Sequence, residues 1–391
     1  MEPQHSNDTT GISDWAIMIV GAGPAGISTW LHLQKYAPHL AGRTLLIEKA
    51  VFPREKLCAG GVGGWSAHTL AHLQIELDIP SLFVSDLAVR FGTQIEHLHE
   101  PNCFRVVQRK DFDHALVTTA VNRGLAIHED ETLTGIIRER NRLILKTSRR
   151  NYRVQAIIGA DGAFSAVRRL MMPYQKPRLA PTIQTLTPVD SQYDTEFDEK
   201  KIVLNFTPIT EGLQGYVWRV PCLKEGVPSI VNGVVDFRIS PDQPRADMKG
   251  IFVRELKSRN IRSTPEAWSS HPIHWLSKDD IISQPNVILV GDAAGIEPVL
   301  GGGIHMALSY GQVAAGAVIA AFRKNDFSFH DFKKRIQSHI VGETIHQCTR
   351  LAGEVYRGKM NPVEAVRELF TTRDAPLDPL SFIFPKISSN P

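Results

Sequence analysis

Three glycines and one acid carry the first chemical signal in this sequence: Gly21, Gly23 and Gly26 in the run GAGPAG, and Glu48 further on. Glycine at the first position permits a tight turn. At the second it lets the backbone approach a pyrophosphate, and at the third it allows a helix to pack closely on a strand. The amides that open the following helix offer unpaired donors and partial positive charge to phosphates. An acid at the end of the next strand can accept both ribose hydroxyls. Together these residues predict a dinucleotide site. Two further turns have the same character. IIGADGAFSAVR (157–168) runs into Asp161-Gly162, and VILVGDAAG (287–295) contains Gly291-Asp292. An aspartate at the mouth of a buried strand reaches a ligand hydroxyl, or it caps the helix that follows. Gly301-Gly302-Gly303-Ile304 then opens a long apolar stretch, whose helix would turn its positive end toward a bound anion.

Other side chains have two readings each. Cys58 is either a proton donor, with an ordinary thiol pKa of about 8.5, or a small residue that lets a ring lie close. His305, at the start of the long stretch, either relays a proton or packs. Tyr216 and Trp218 are two apart on a strand and so share a face, which is either the wall of an apolar tunnel or ordinary core. Arg54 and Lys56 either attract a diphosphate or phospholipid head group or form a solvated turn.

The elements that must hold these residues are legible from periodicity. Residues 15–20 (WAIMIV) form a buried strand, residues 24–36 a helix with Pro24 in its first turn, and residues 44–48 a second strand. That is a βαβ unit. Residues 287–290 form another apolar strand. Between them, 203–206, 216–220 and 229–237 are rich in β-branched and aromatic residues and read as an antiparallel sheet. After residue 325 the pattern is helical, with 333–358 as one run and Asn361-Pro362 starting another helix. The expected organisation is a flexible tail at 1–14, and a discontinuous nucleotide-binding domain at 15–80, 106–172 and 286–325. A β-rich substrate domain occupies 81–105 and 173–285, and C-terminal helices and tail occupy 326–391. Within that tail, Phe382-Ile383-Phe384 reads as core packing rather than a docking plug or a lipid-surface contact.

Composition excludes several classes. The 391 residues carry 44 Lys+Arg against 41 Asp+Glu, a net charge of +3, and no basic run with interleaved aromatics, so no nucleic-acid partner is expected. Four cysteines lie far apart with neither CxxC nor zinc spacing, the usage of a reduced, cytoplasmic chain without a metal site. The polar start has no basic residue before Lys35, unlike a signal peptide. Residues 304–322 approach spanning length but include His305, Ser309, Tyr310 and Gln312, so a buried helix is expected instead.

In this order, the glycine and aspartate motifs resemble the three-part signature of FAD-binding oxidoreductases similar to aromatic hydroxylases. Two segments narrow the likeness: FPREKLCAGG (52–61) after the second strand, and Arg109 ahead of an amphipathic helix. With YVWRVP (216–221), they make residues 15–325 resemble the geranylgeranyl reductase family of FAD enzymes. Here Val220 stands where that family has Phe. The glycine that the family places soon after the proline has its nearest counterpart at Gly233, and the link from Asp292 to the glycines is one residue shorter.

The resemblance implies an α/β fold: a Rossmann-type FAD-binding domain with an inserted antiparallel β-sheet substrate domain and C-terminal helices. It implies that Ala25, Glu48, Cys58, Ala59, Gly61, Arg109, Asp292, Gly303 and Ile304 line the flavin, joined by Lys49 and Gly302. Asp292 would bond the ribitol, and Asp161-Gly162 would support the cofactor from beneath. The implied activity is FAD-dependent saturation of double bonds in a geranylgeranyl-type chain, on a lipid or a diphosphate. Cys58 and His305 are the candidate catalytic groups, and Tyr216 and Trp218 the substrate contacts. No second GxGxxG appears, so the reductant is NADPH docking transiently or a ferredoxin-like donor. A prenyl-lipid substrate implies peripheral membrane contact; nothing fixes an oligomeric state. An FAD-dependent monooxygenase shares the scaffold. A flavin-dependent halogenase lacks its W-x-W-x-I-P here. A non-redox prenyl-binding chaperone would have a damaged flavin site, whereas Glu48, Arg109 and Asp292 are all present.

Overall fold

Ile17–Val20 is an inner strand of a six-stranded sheet, in a computed structural model that describes residues 12–371. The strand order is Ser283–Gln284, Val287–Leu289, Ala156–Gly159, Ile17–Val20, Thr44–Ile47, Ala126–His128. All neighbours are parallel except the first pair. Both faces are covered, which is why these strands read as continuous apolar runs rather than alternating ones. Ile17, Met18, Ile19, Ile157, Ile158 and Val287 are fully buried, each worth roughly 1.5–3 kcal/mol of transfer free energy.

One face is covered by two helices in close approach, Pro24–Tyr36 and Gly303–Lys324. At their crossing Gly311 leaves no room for a Cβ against Ser28, whose hydroxyl donates to the Leu308 carbonyl at 2.6 Å. Among the described residues, Gly303–Lys324 is the helix long and apolar enough to cross a membrane, but 78% of its most apolar stretch is buried inside the protein. It is a core helix, as its polar residues led us to expect.

A seven-stranded sheet runs Thr182–Pro188, Val227–Asp236, Gly215–Lys224, Lys201–Asn205, Ser81–Phe91, Gln94–Val107, Gly61–Gly63. It is antiparallel except where Lys201–Asn205 meets Ser81–Phe91. Gly61–Gly63 thus pairs with the larger sheet, although it lies in a segment (15–80) assigned by sequence to the cofactor domain. The strand Gly215–Lys224 is buried on both faces. Tyr216, Trp218 and Val220 belong to one apolar cluster, while Val217 belongs to another with Phe252 and Leu256 of the helix Met248–Ser258. On that second face Arg219 is buried against Glu196 (2.9 Å), Asn232 (2.6 Å) and Asp194.

Two expectations fail. Ile12–Asp14, assigned to a flexible tail, forms an edge strand parallel to Asn151–Val154 in a separate four-stranded sheet. Its main-chain pairing, with Asp14 beside Arg142 and Arg153, outweighs its polar sequence. The single helical run at 333–358 divides into Phe332–Gln337 and Ile340–Val355. His339 adopts an extended conformation between them, and its Nδ1 accepts the Val341 N–H at 3.2 Å, capping the second helix. The last helix, Pro362–Thr371, starts as expected, with the Asn361 side chain accepting the Val363 N–H at 2.8 Å. Phe382-Ile383-Phe384 lies outside the described residues.

Candidate active site

Every turn singled out by sequence opens onto one cavity of about 740 Å³ between the six-stranded and seven-stranded sheets. Gly21 has φ +103°, and a Cβ there would lie 2.5 Å from the Ala160 carbonyl oxygen, so only glycine fits the turn. Gly23 faces the cavity; a Cβ on it would meet nothing closer than an Arg54 guanidinium nitrogen at 3.9 Å. That open cradle, beside the first amides of Pro24–Tyr36, is the space a pyrophosphate needs. Ala25 lines the same wall. Gly26 does not; it packs on the Gly21 carbonyl, the helix–strand contact its position predicts.

Glu48, at the end of Thr44–Ile47, is 6% exposed and holds its own loop. One carboxylate oxygen accepts the Ala22 N–H at 2.8 Å, the other the Ala50 N–H at 3.1 Å. Lys49 follows it on the cavity wall. Arg109 makes a two-point bond to Asp113 at 2.7 and 2.8 Å, and Arg54 reaches the same carboxylate at 3.3 Å. Burial disfavours the Arg109 charge, but Asp113 more than offsets this and raises its pKa above the ordinary arginine value.

Asp161 does what a helix cap does: one oxygen accepts the Ala166 and Val167 N–H groups at 2.6 and 3.1 Å. Its other oxygen is buried and meets no donor among the described residues, and burial raises its pKa. Gly162 beside it also lines the cavity. Asp292 differs. No donor among the described residues bonds its carboxylate, and withdrawal from water raises its pKa against the pull of Lys56, Arg109 and Arg168. It is a half-buried acceptor on the cavity wall, suited to a polyol hydroxyl. Arg168 ties the two aspartate turns together, donating to Ala163 O (2.5 Å) and Ala293 O (2.9 Å).

Gly302, Gly303 and Ile304 begin the long helix at the cavity wall, and His305 packs edge-on against Trp65 at 4.6 Å between ring centroids. Cys58 is exposed at the cavity, its sulfur accepting the Gly60 N–H at 3.3 Å, with Ala59 and Gly61 beside it. Tyr216 and Trp218 project from the seven-stranded sheet into an apolar wall that includes Leu87, Phe104, Ile202 and Leu204. Gly233 lies directly across the strand pair from Trp218, and the indole covers it so closely that a Cβ would collide with the ring.

His271 and Glu297 were missed by sequence, and Lys56 was read there only as a head-group anchor or part of a solvated turn. Lys56 is half-buried, in contact with the His271 ring nitrogen, and its pKa falls to about 8 through burial, partly countered by Asp292. A solvated turn is therefore excluded for it. His271 lines the cavity from the loop ahead of Ile273–His274, its pKa lowered to about 4 by burial and then by the Lys56 charge. Neither spacing nor composition marks a lone histidine ahead of a proline. Glu297 carried no motif, yet it is 2% exposed and holds the loop before Gly302.

The arrangement fits FAD on this structure's own evidence: a phosphate cradle only glycine leaves open, an acid fixed by main-chain amides at the end of the second strand, and an unbonded half-buried acceptor on the same cavity wall. A model of the FAD binding domain matches residues 14–310. The digeranylgeranylglycerophospholipid reductase of Methanosarcina acetivorans is 28% identical over 333 residues, covering 81% of this chain and 78% of that protein. Reductase 1 of the same description from Methanopyrus kandleri is 26% identical, covering 88% and 90%. A geranylgeranyl bacteriochlorophyll reductase-like structure from Thermoplasma acidophilum superposes with a TM-score of 0.73 at 20% identity, covering 96% and 98%.

Proposed function

The chain belongs to the FAD binding domain family, and from that premise we propose that it saturates double bonds of a geranylgeranyl-type isoprenoid, carried on a lipid or a diphosphate. The observation that carries this reading is the lining of this cavity. Its cofactor half is lined by glycines, acids and cations, and its other half by side chains of one face of the seven-stranded sheet. A hydrocarbon chain needs such a wall. The relatives named as digeranylgeranylglycerophospholipid reductases support the substrate class.

Bound FAD supplies hydride transfer, which no side chain here can perform. The protein's part is to bind, orient and exclude water. Gly21, Gly23 and the first amides of Pro24–Tyr36 would hold the phosphates, and Glu48 and Asp292 would accept hydroxyls of the cofactor. Tyr216 and Trp218 hold the chain against the apolar wall, where burial keeps the Tyr216 hydroxyl protonated by raising its pKa far above the ordinary value. Cys58 and His305 both line the cavity, and in this reading they are the candidates to deliver the proton to the substrate carbon. Electrons enter from NADPH docking transiently or from a ferredoxin-like protein.

Purified protein, loaded with FAD and reduced anaerobically with dithionite, is expected to be reoxidised when geranylgeranyl diphosphate is added, with a saturated product. Reoxidation by oxygen alone, coupled to a hydroxylated product, would establish a monooxygenase instead. A protein that binds the isoprenoid but cannot be loaded with FAD would leave only a prenyl-binding role.

A further inference from the structure

Glu297 is buried in the link between Asp292 and the helix Gly303–Lys324, and its bonds run to main-chain amides rather than to a cation. One carboxylate oxygen accepts the Val299 N–H at 2.6 Å and the Leu300 N–H at 2.9 Å. The other accepts the Gly302 N–H at 2.7 Å and a longer contact from Leu300 at 3.2 Å. Both oxygens act only as acceptors, the pattern of an ionised carboxylate. The amides it gathers belong to the segment whose Leu300, Gly301 and Gly302 line the cavity. Leu300 is held from its other side as well, its carbonyl accepting the Tyr216 hydroxyl.

This placement has an electrostatic consequence. The N-terminus of a helix favours a nearby anion, and a reduced flavin is an anion along its pyrimidine edge. The helix alone would therefore raise the potential of a flavin in this cavity. A fixed negative charge in the loop that leads into the helix acts in the opposite sense. The charge of Glu297 is felt at the cavity wall: after burial, it is the next cause that raises the Tyr216 pKa.

We propose that Glu297 is a positioning residue that both fixes the 298–302 loop and lowers the reduction potential of the bound flavin. An isolated carbon–carbon double bond is a poor hydride acceptor, so a strongly reducing cofactor suits the proposed reaction. The inference rests on the reductase reading for that purpose alone.

The test is the midpoint potential of FAD in wild-type, E297Q and E297D proteins, measured anaerobically against a redox dye with no isoprenoid present. Its outcome is therefore separate from that of the substrate experiment. E297Q, which removes the charge, is expected to shift the potential upward by about 30 mV or more, tenfold in the two-electron equilibrium. E297D, which keeps the charge, is expected to stay near wild type. An E297Q protein with FAD bound and an unchanged or lower potential overturns the proposal. If E297Q does not retain FAD, E297D decides: a wild-type potential supports the electrostatic role, and a raised one overturns it in favour of loop packing alone.

Discussion

The Tyr216 hydroxyl, on a central strand of the seven-stranded sheet, donates to the main-chain carbonyl of Leu300, in the loop that precedes the long core helix. One hydrogen bond thus joins the apolar wall of the cavity to the segment that borders its cofactor half. Tyr216 is buried, while Leu300 is half-buried at the cavity wall, so the bond is only partly shielded from water. Tyr216→Phe is expected to destabilise the apoprotein by about 0.5–1.5 kcal/mol, the net worth of one hydrogen bond. Urea unfolding of the two proteins measures this. Equal midpoints would mean that the carbonyl finds another donor.

Glu48 offers a sharper test of cofactor binding. Its carboxylate spans two amides, Ala22 in the glycine turn and Ala50 beyond the strand. Glu48→Ala removes these charge-assisted bonds and, in the proposed binding mode, the acceptor for a ribose. Hydrogen bonds to charged groups are worth roughly 1.5–3 kcal/mol, so FAD affinity should fall about ten- to a hundredfold. Flavin fluorescence titration of the apoprotein reads this directly, and wild-type affinity would remove Glu48 from the site.

The cofactor half was legible in sequence because its chemistry is written in backbone-constrained residues. Gly21, Gly23 and Asp292 occupy turns fixed by the strands beside them, and strands of buried parallel sheet announce themselves as apolar runs. The edge strand Ile12–Asp14 was not legible, because pairing through the main chain leaves no hydrophobic pattern. The break at His339 was hidden because both flanking segments have helical periodicity, and a tertiary anchor to Gln312 decides it. Asp161 kept both of its readings: it caps a helix with one oxygen and turns the other inward. The burial of Lys56 and the roles of His271 and Glu297 were invisible for a common reason. Each gains its character from burial against residues far away or from main-chain amides, neither of which a single sequence displays.

Gly233 and Trp218 form a cross-strand pair that separates substrate from cofactor effects. The Gly233 backbone is ordinary strand, so alanine there costs nothing in conformation; the cost is steric, because the indole lies over the position a methyl would take. Overpacking of this kind costs about 1–3 kcal/mol when the structure cannot yield. Here the indole can yield toward the cavity it lines. Gly233→Ala is expected to keep FAD affinity within a few-fold of wild type while raising the KM for geranylgeranyl diphosphate. Unchanged steady-state kinetics with normal FAD content would place the substrate away from Trp218.

Stability in acid should be set largely by buried neutral histidines. Burial is the first cause that lowers the pKa of His32 to about 3 and those of His274 and His339 to about 4. The unfolded chain takes up these protons near pH 6.5, whereas the fold refuses them until the pH is well below 5. Between those values the unfolded state binds more protons, so the contribution of each histidine is fully present above about pH 6.5 and is lost as the pH falls. The loss accumulates at about 1.4 kcal/mol per pH unit for each histidine in its window. Asp161, Asp236 and Asp292 act oppositely, because burial raises their pKa values and their protonation favours the fold. Removing one histidine isolates its share. His339→Gln is expected to lose less stability than wild type between pH 6.5 and 4.5, measured by urea unfolding at each pH. An identical loss would mean that His339 protonates as readily in the fold as in the unfolded chain, which its burial beside Gln312 argues against.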